Sequence, residues 1–359
     1  MNKNDRILAI NPGSTSTKIA VYKNGDVVFL KTISHSVDEL SKFNKIAEQY
    51  EFRRDIIIKE LKDADIKLDK IKVVMGRGGL VKPIPAGVYR INDTMKQELL
   101  EGRYGEHASN LGALIADDIA KELPDAKAYI ADPVVVDELE DIARFSGHPL
   151  FERTSIFHAL NQRAIVRTHA KSINEKYEDL NLIVAHLGGG ISVGAHCKGR
   201  VVDVNQALDG EGPMSPERSG TLPTGMLVDA AFSGKYTHEE MKLMIKGKGG
   251  MYAFTGVNDA YKVEMAAMDG DKDSLAVLEA MAYQTAKYIG AASTVLKGDV
   301  DAILITGGMA NSKWYANLII ERVYKIGPVY IYPGEDEMRA LAENGELILS
   351  REVEAKEYK

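Results

Sequence analysis

The chain has 359 residues, 45% of them apolar and 27% charged, and its 52 acidic against 45 basic side chains leave a formal charge of −7. At about 150 residues per domain this length predicts two domains with cores of their own, and the acidic balance argues against a broad nucleic-acid-binding face, which would need net positive charge along a phosphate backbone. No run approaches the roughly 20 apolar residues of a membrane span, the first residues carry no signal-peptide core, and the single cysteine, Cys197, excludes an internal disulfide framework, so a cytoplasmic protein with no membrane partner is expected.

In chain order, β-branched and alternating apolar runs predict strands at Ile7 to Ile10, Lys18 to Tyr22, Val27 to Lys31 and Lys72 to Met75, then at Leu182 to His186, Ser192 to His196, Arg200 to Val204 and Ala302 to Thr306. Helical periodicity predicts helices over His107 to Leu123, Phe157 to Tyr177, Ser274 to Leu296 and Lys313 to Tyr324. The chain is therefore an α/β protein. Short turns between the first three strands, one carrying Asn24-Gly25, favour antiparallel hairpins and hence mixed sheets.

The two sets of strands form a repeat. An offset of 175 residues brings Asn11 to His186, Gly13 to Gly188, Thr17 to Ser192, Ala20 to Ala195 and Lys23 to Lys198. Each set is followed by a strand running into glycines, Met75-Gly76-Arg77-Gly78-Gly79 in one case and Thr306-Gly307-Gly308 in the other. A duplicated α/β unit with a cleft between the copies accounts for both observations. The boundary is expected at residues 145 to 155, giving domains 1–150 and 151–334, with the tail 335–359 packing back on the first.

Turns of small residues let backbone N–H groups approach an anion, because side-chain bulk is absent. Asn11-Pro12-Gly13-Ser14-Thr15-Ser16-Thr17-Lys18 adds hydroxyls and an ammonium; His186-Leu187-Gly188-Gly189-Gly190-Ile191-Ser192 offers three glycines. Either turn alone is as well explained as a structural hairpin, but the matched pair favours a polyphosphate. Neither is a Walker A loop or a Rossmann fingerprint.

These two segments, with Ser215-Pro216-Glu217-Arg218-Ser219-Gly220 and Tyr332-Pro333-Gly334-Glu335-Asp336-Glu337, resemble the acetokinase family, of the superfamily that includes sugar kinases, Hsc70 and actin. The likeness spans essentially the whole chain. It lies with the butyrate-using branch, since Ile156-Phe157-His158-Ala159-Leu160-Asn161 replaces the Phe-His-Gly-Thr-Ser-His of acetate kinases. The resemblance implies duplicated ribonuclease-H-like, actin-like ATPase domains around a nucleotide cleft. It also implies ATP/ADP and Mg2+ as cofactors, a homo-oligomer, and reversible phosphoryl transfer between ATP and butanoate or a branched acid.

By the same resemblance Arg77 and Arg218 are the two active-site arginines, His186 donates to the transferring phosphoryl group, and Asp132 orders the arginine and metal region. His158 and Arg77 are substrate contacts. Asn11, Ser14, Ser16, Lys18, Gly188, Gly189, Gly190, Gly307, Gly308 and Asn311 hold the nucleotide. Asn11 and Glu337, with Glu335 in reserve, serve the metal. Phosphoryl transfer to a carboxylate needs positive charge rather than a base, because the nucleophile is already an anion, and guanidinium forks suit that work. Competing roles stand beside several of these: a solvated charge for a lone arginine, a cap or core residue for His158 and His107, and a turn aspartate for Asp132. His196-Cys197 points to opposite faces of a strand and reads as core packing. Asp209-Gly210-Glu211-Gly212-Pro213-Met214 is expected to border the nucleotide pocket. Val88, Pro85, Phe157 and Met214 are acyl-pocket candidates for which core packing is favoured. The alternatives are an acetate or propionate kinase of the same family, a sugar kinase, which would need Asp132 or Asp203 as base, and an actin-like assembly protein, which would need no acceptor at all.

Overall fold

Residues 4–359, described by a computed structural model, divide into two compact units: the chain up to Val136 together with Asp336–Lys359, and Asp137–Glu335. In the first, β1 (Arg6–Pro12), β2 (Ser16–Lys23) and β3 (Asp26–Ser34) form an antiparallel meander, and β4 (Ile71–Arg77) and β6 (Lys127–Ala131) continue the sheet in parallel beyond β1. A three-residue β5 (Val88–Arg90) and β12 (Lys356–Glu357) complete the seven-stranded order β12-β5-β6-β4-β1-β2-β3. Leu8 and Ile10 of β1 cluster with Ile57 and Leu61 of the helix Tyr50–Asp63 and with Leu111 and Ile115 of the helix Asn110–Glu122. The helix Glu337–Ser350 packs on β1 and β4, where a Cβ on Gly345 would reach Ile7 and Met75.

The second unit repeats the plan. β7 (Asn181–Leu187), β8 (Ile191–Cys197) and β9 (Arg200–Val204) form the meander, with β10 (Ala302–Gly307) and β11 (Val329–Pro333) added in parallel, in the order β11-β10-β7-β8-β9. Every residue of β7 is buried, as a strand covered on both faces requires. Ile183 and Ala185 pack with Met281 and Ile289 of the helix Lys272–Val295, while Leu182 and Val184 pack with Val166 and Ala170 of the helix Ala159–Ser172.

The shared core orders, β3-β2-β1-β4-β6 and β9-β8-β7-β10-β11, establish the duplication, but the constant 175-residue offset does not survive. Four residues separate the paired ends Pro12 and Thr17 of the first turn, and three separate Leu187 and Ile191 of the second. Past that turn the offset is 174. The tight turns Asn24-Gly25 and Lys198-Gly199 then coincide, all four residues at positive φ. So do the ladder irregularities at Val21/Tyr22 and Ala195/His196. Lys23 therefore corresponds to Cys197, Ala20 to Gly194 and Thr17 to Ile191.

The division falls between Val136 and Asp137, earlier than the expected 145 to 155. The intervening segment is tied to the second unit: Glu140 N donates to Val202 O (3.0 Å), Arg200 Nη2 donates to Glu138 O (3.2 Å), and Arg144 forks onto the Asp137 carboxylate with two 2.8 Å bonds. Among the described residues no helix is long and apolar enough to cross a membrane.

Candidate active site

In the first unit, Asn11, next to last in β1, lies beside Arg77, which ends β4. Arg77 reaches β4's end because the helix Asn110–Glu122 approaches closely there: a Cβ on Gly76 would lie 2.2 Å from Gly112 O, and one on Gly112 would lie 2.3 Å from Arg77 O. The glycine pair is thus a contact condition for the position of Arg77. Its Nη1 donates to Asn11 Oδ1 (3.2 Å), its Nη2 pairs with Glu337 Oε1 (2.7 Å), and Asn11 Nδ2 donates to Glu337 Oε2 (2.6 Å). Asn11, Arg77 and Glu337 thereby form a closed three-way contact. Lys18 is the cross-strand partner of Asn11 and is exposed, as is Ser14, with Ser16 half-buried.

The turn between β1 and β2 is held by a residue outside the sequence-based expectations. Arg53, 1% exposed on the helix Tyr50–Asp63, donates to Gly13 O (2.7 Å), Ser14 O (3.0 Å), Ser16 O (3.1 Å), Thr17 Oγ1 (3.1 Å) and Gln49 Oε1 (2.7 Å). Its partners are all neutral, and burial pulls its guanidinium down to about 10. Asp132, buried at the end of β6 with φ +38, accepts from Gly87 N at 2.8 Å while its own N–H donates to Gly87 O at 3.0 Å. His107 is exposed before the helix Asn110–Glu122; its Nδ1 accepts from Ser109 N (3.2 Å), a local turn contact. Val88 is core and Pro85 is exposed.

In the second unit, His186 is buried near the end of β7. Its Nδ1 meets Asn161 Oδ1 at 2.7 Å, its Nε2 lies 3.3 Å from Glu335 Oε2, and its ring stacks on His158 with centroids 3.8 Å apart. His158 immediately precedes the helix Ala159–Ser172. The two acids left open in the sequence therefore part company: Glu337 joins Asn11 and Arg77, whereas Glu335 faces His186. Arg218 runs beneath the glycine turn, where a Cβ on Gly190 would fall 1.9 Å from its Nη1. That nitrogen donates to Ala207 O (2.5 Å), and burial lowers the guanidinium's affinity for its proton.

Gly188, Gly189, Gly308, Asn311 and Glu335 line one cavity of about 710 Å³. Its remaining wall includes Asn258, Tyr261, Glu264, Lys313 and Trp314, which the motifs did not single out. Ser312 joins two of these elements, capping Tyr315 N (3.0 Å) and donating to Glu264 Oε1 (2.7 Å). The segment Asp209 to Met214 does not line this cavity, contrary to expectation. Glu211 and Asp203 are both engaged by Arg153, Asp209 by Lys242, and Met214 lies in the core with Met251 and Ile191. Phe157 is likewise buried.

The acetokinase family model matches residues 151–353. Over 354 residues, 99% of each chain, the sequence is 54% identical to butyrate kinase 2 of Clostridium acetobutylicum and 52% identical to butyrate kinase 1 of the same organism. Among solved structures, the acetate kinase of Porphyromonas gingivalis shares the fold, with a TM-score of 0.79 and 18% identity over 96% of this chain and 100% of that one.

Proposed function

Because the chain belongs to the acetokinase family, we propose that it is a cytoplasmic short-chain carboxylate kinase, moving a phosphoryl group reversibly between ATP and butanoate or a close branched acid. The observation that carries this reading is the 54% identity to a butyrate kinase along nearly the full length of both chains.

The chemistry suits the residues. A carboxylate is anionic at neutral pH and needs no general base, and the carboxylates a sugar kinase would need are engaged: Asp203 with Arg153, Asp132 with Gly87 N. Arg77 and Arg218 supply positive charge toward the transferring group, with His186 as donor and Asp132 holding the segment that carries Gly87 and Val88. His158 and Arg77 serve the acyl substrate. Gly188, Gly189, Gly190, Gly307, Gly308 and Asn311 receive the nucleotide, and Ser14, Ser16 and Lys18 offer donors to its phosphates.

For Mg2+, the donor set is hard oxygen. Among the described residues no group of three or more His, Cys, Asp or Glu forms a cage, which fits an ion that takes most ligands from phosphate and water. Asn11 and Glu337, with Glu335 second, would hold it; when bound, it would supply charge neutralisation on the phosphates. A homo-oligomer is expected. The helix Thr224–Phe232 buries none of its residues and leaves Met226 73% and Phe232 88% exposed, so sedimentation of the native chain against Phe232→Glu checks that surface.

The test follows acyl phosphate as hydroxamate with acids of two to six carbons. Turnover with butanoate or a branched acid, lost in Arg218→Ala, is the expected result; no acid above the Arg218→Ala background refutes the reading.

A further inference from the structure

The second unit contains a buried chain of polar side chains that ends on His158. Tyr177 OH lies 2.8 Å from His196 Nδ1, His196 Nε2 lies 2.9 Å from Gln162 Oε1, Gln162 Nε2 lies 2.9 Å from Ser192 Oγ, and Ser192 Oγ lies 2.9 Å from His158 Nδ1. Tyr177, His196, Gln162 and Ser192 are all buried. A Cβ on Gly194 would lie 2.6 Å from Gln162 Oε1, so the glycine in β8 makes room for the amide.

One atom fixes the orientation of the Gln162 amide, and the remaining directions follow from it together with the partners on either side. Gln162 Nε2 also lies 3.2 Å from the Ser192 carbonyl oxygen, which can only accept, so the amide must present its NH2 end to Ser192. Its second hydrogen then goes to Ser192 Oγ. Among the described residues the serine hydroxyl meets only Gln162 Nε2 and His158 Nδ1, so its one proton goes to His158 Nδ1. On the other side Gln162 Oε1 accepts from His196 Nε2–H, leaving His196 Nδ1 to accept from Tyr177 OH. That polarity requires a neutral His196, and burial pushes His196 down to about 3.

We propose that Tyr177, His196, Gln162 and Ser192 are positioning residues that fix His158 as the Nε2–H tautomer, so that its ring donates through Nε2 and accepts at Nδ1. Any role of that donor toward the acyl substrate or phosphoryl group rests on the carboxylate kinase reading; the tautomer does not. His158 Nδ1 is then occupied by the serine hydroxyl, and the ring stacks on the buried His186.

The experiment uses the full chain labelled with 15N-histidine, with His158 assigned through His158→Gln and read by long-range 1H–15N correlation at pH 7.5. The expected spectrum shows an acceptor-type Nδ1 and a protonated Nε2 at His158. Ser192→Ala, which removes the donor, moves both nitrogens toward averaged values and lowers kcat by about tenfold with the KM for ATP within about twofold; Ser192→Thr, which keeps the hydroxyl, restores both. A protonated Nδ1 in the native protein overturns the proposal, as does a Ser192→Thr variant as impaired as Ser192→Ala. If no acid is phosphorylated, the nitrogen spectrum of the native chain still decides the tautomer.

Discussion

Gly190→Ala separates the placement of Arg218 from the stability of the fold. The new Cβ would sit 1.9 Å from Arg218 Nη1 and 2.5 Å from its Cζ. Ordinary contact needs about 3.5 Å, so the guanidinium must move by about 1.5 Å, which breaks its bond to Ala207 O. The obstacle is the far end of a flexible side chain and Gly190 is not at positive φ, so the backbone accepts alanine. Unfolding free energy should therefore fall by about 1 to 3 kcal/mol, the loss of one hydrogen bond from a buried guanidinium, which leaves the chain folded. A displacement of about 1 Å in a charge aimed at a reacting group costs about a hundredfold in rate, or about 2.7 kcal/mol in the barrier. Gly290→Ala in the helix Lys272–Val295 is the internal control, because its Cβ would meet nothing within 4 Å and the position is not among those that receive the nucleotide. Hydroxamate formation from butanoate and ATP gives kcat, and thermal unfolding gives stability. The reasoning fails if Gly190→Ala keeps native kcat, or if both variants lose activity equally.

Arg53→Met should cost about 3 to 5 kcal/mol, because the buried Thr17 hydroxyl and Gln49 amide lose their donor while water reaches the Gly13, Ser14 and Ser16 carbonyls; denaturant unfolding measures it, and a loss below about 1 kcal/mol contradicts the geometry. Glu337→Gln removes the charge between Arg77 and Asn11, both partly exposed, so stability should shift by less than about 1 kcal/mol while the Mg2+ concentration at half-maximal rate rises; an unchanged metal dependence removes Glu337 from the metal region. His196 binds its proton only near pH 3 when folded, against about 6.5 when unfolded. Between those values the unfolded chain holds the extra proton, so stability falls as pH falls, by about 2 kcal/mol at pH 5 relative to pH 7.5. In His196→Asn the difference between the two pH values should shrink by about that amount.

The eight strands expected from the sequence all exist: β7 and β10 are apolar runs buried throughout, whereas β3 buries only Ile33 and is legible from its β-branched composition and the tight turn before it. What escaped was hidden by chemistry at the wrong place in the pattern. The helix Tyr50–Asp63 buries Arg53, Ile57 and Leu61, a stripe at four-residue spacing whose first member is an arginine, so the apolar period is broken by the residue that holds the turn. β12 has two residues and β5 three, each too short to leave a period in the sequence, whereas β11 is rich in strand formers, Val329-Tyr330-Ile331-Tyr332, but sits at a sheet edge and shows no buried alternation. In the site, Asn11, Arg77, Glu337, His186 and Arg218 are legible through the resemblance of their motifs to the acetokinase family. Gln162 and Tyr177 are not, because their roles depend on a carbonyl thirty residues away in one case and a buried imidazole in the other.

The weak residue identity between the repeats has a physical reason. A turn that is to receive phosphate must turn its carbonyl oxygens away from the anion and keep them occupied. The first turn does so with Arg53, which takes the carbonyls of Gly13, Ser14 and Ser16, and with Gly13 N, which also bonds Ser16 O at 2.7 Å. The second has no counterpart of that arginine. There Gly189 O accepts from Ser215 Oγ at 2.8 Å and from Glu217 N at 3.3 Å, and Gly190 O accepts from Gly188 N at 3.1 Å. One turn is held by a long side chain from a helix of its own unit, the other by the loop that carries Arg218. The carbonyls of the two turns are thus occupied by different residues on turns of different length, so the copies share carbonyl occupancy without sharing the side chains that provide it.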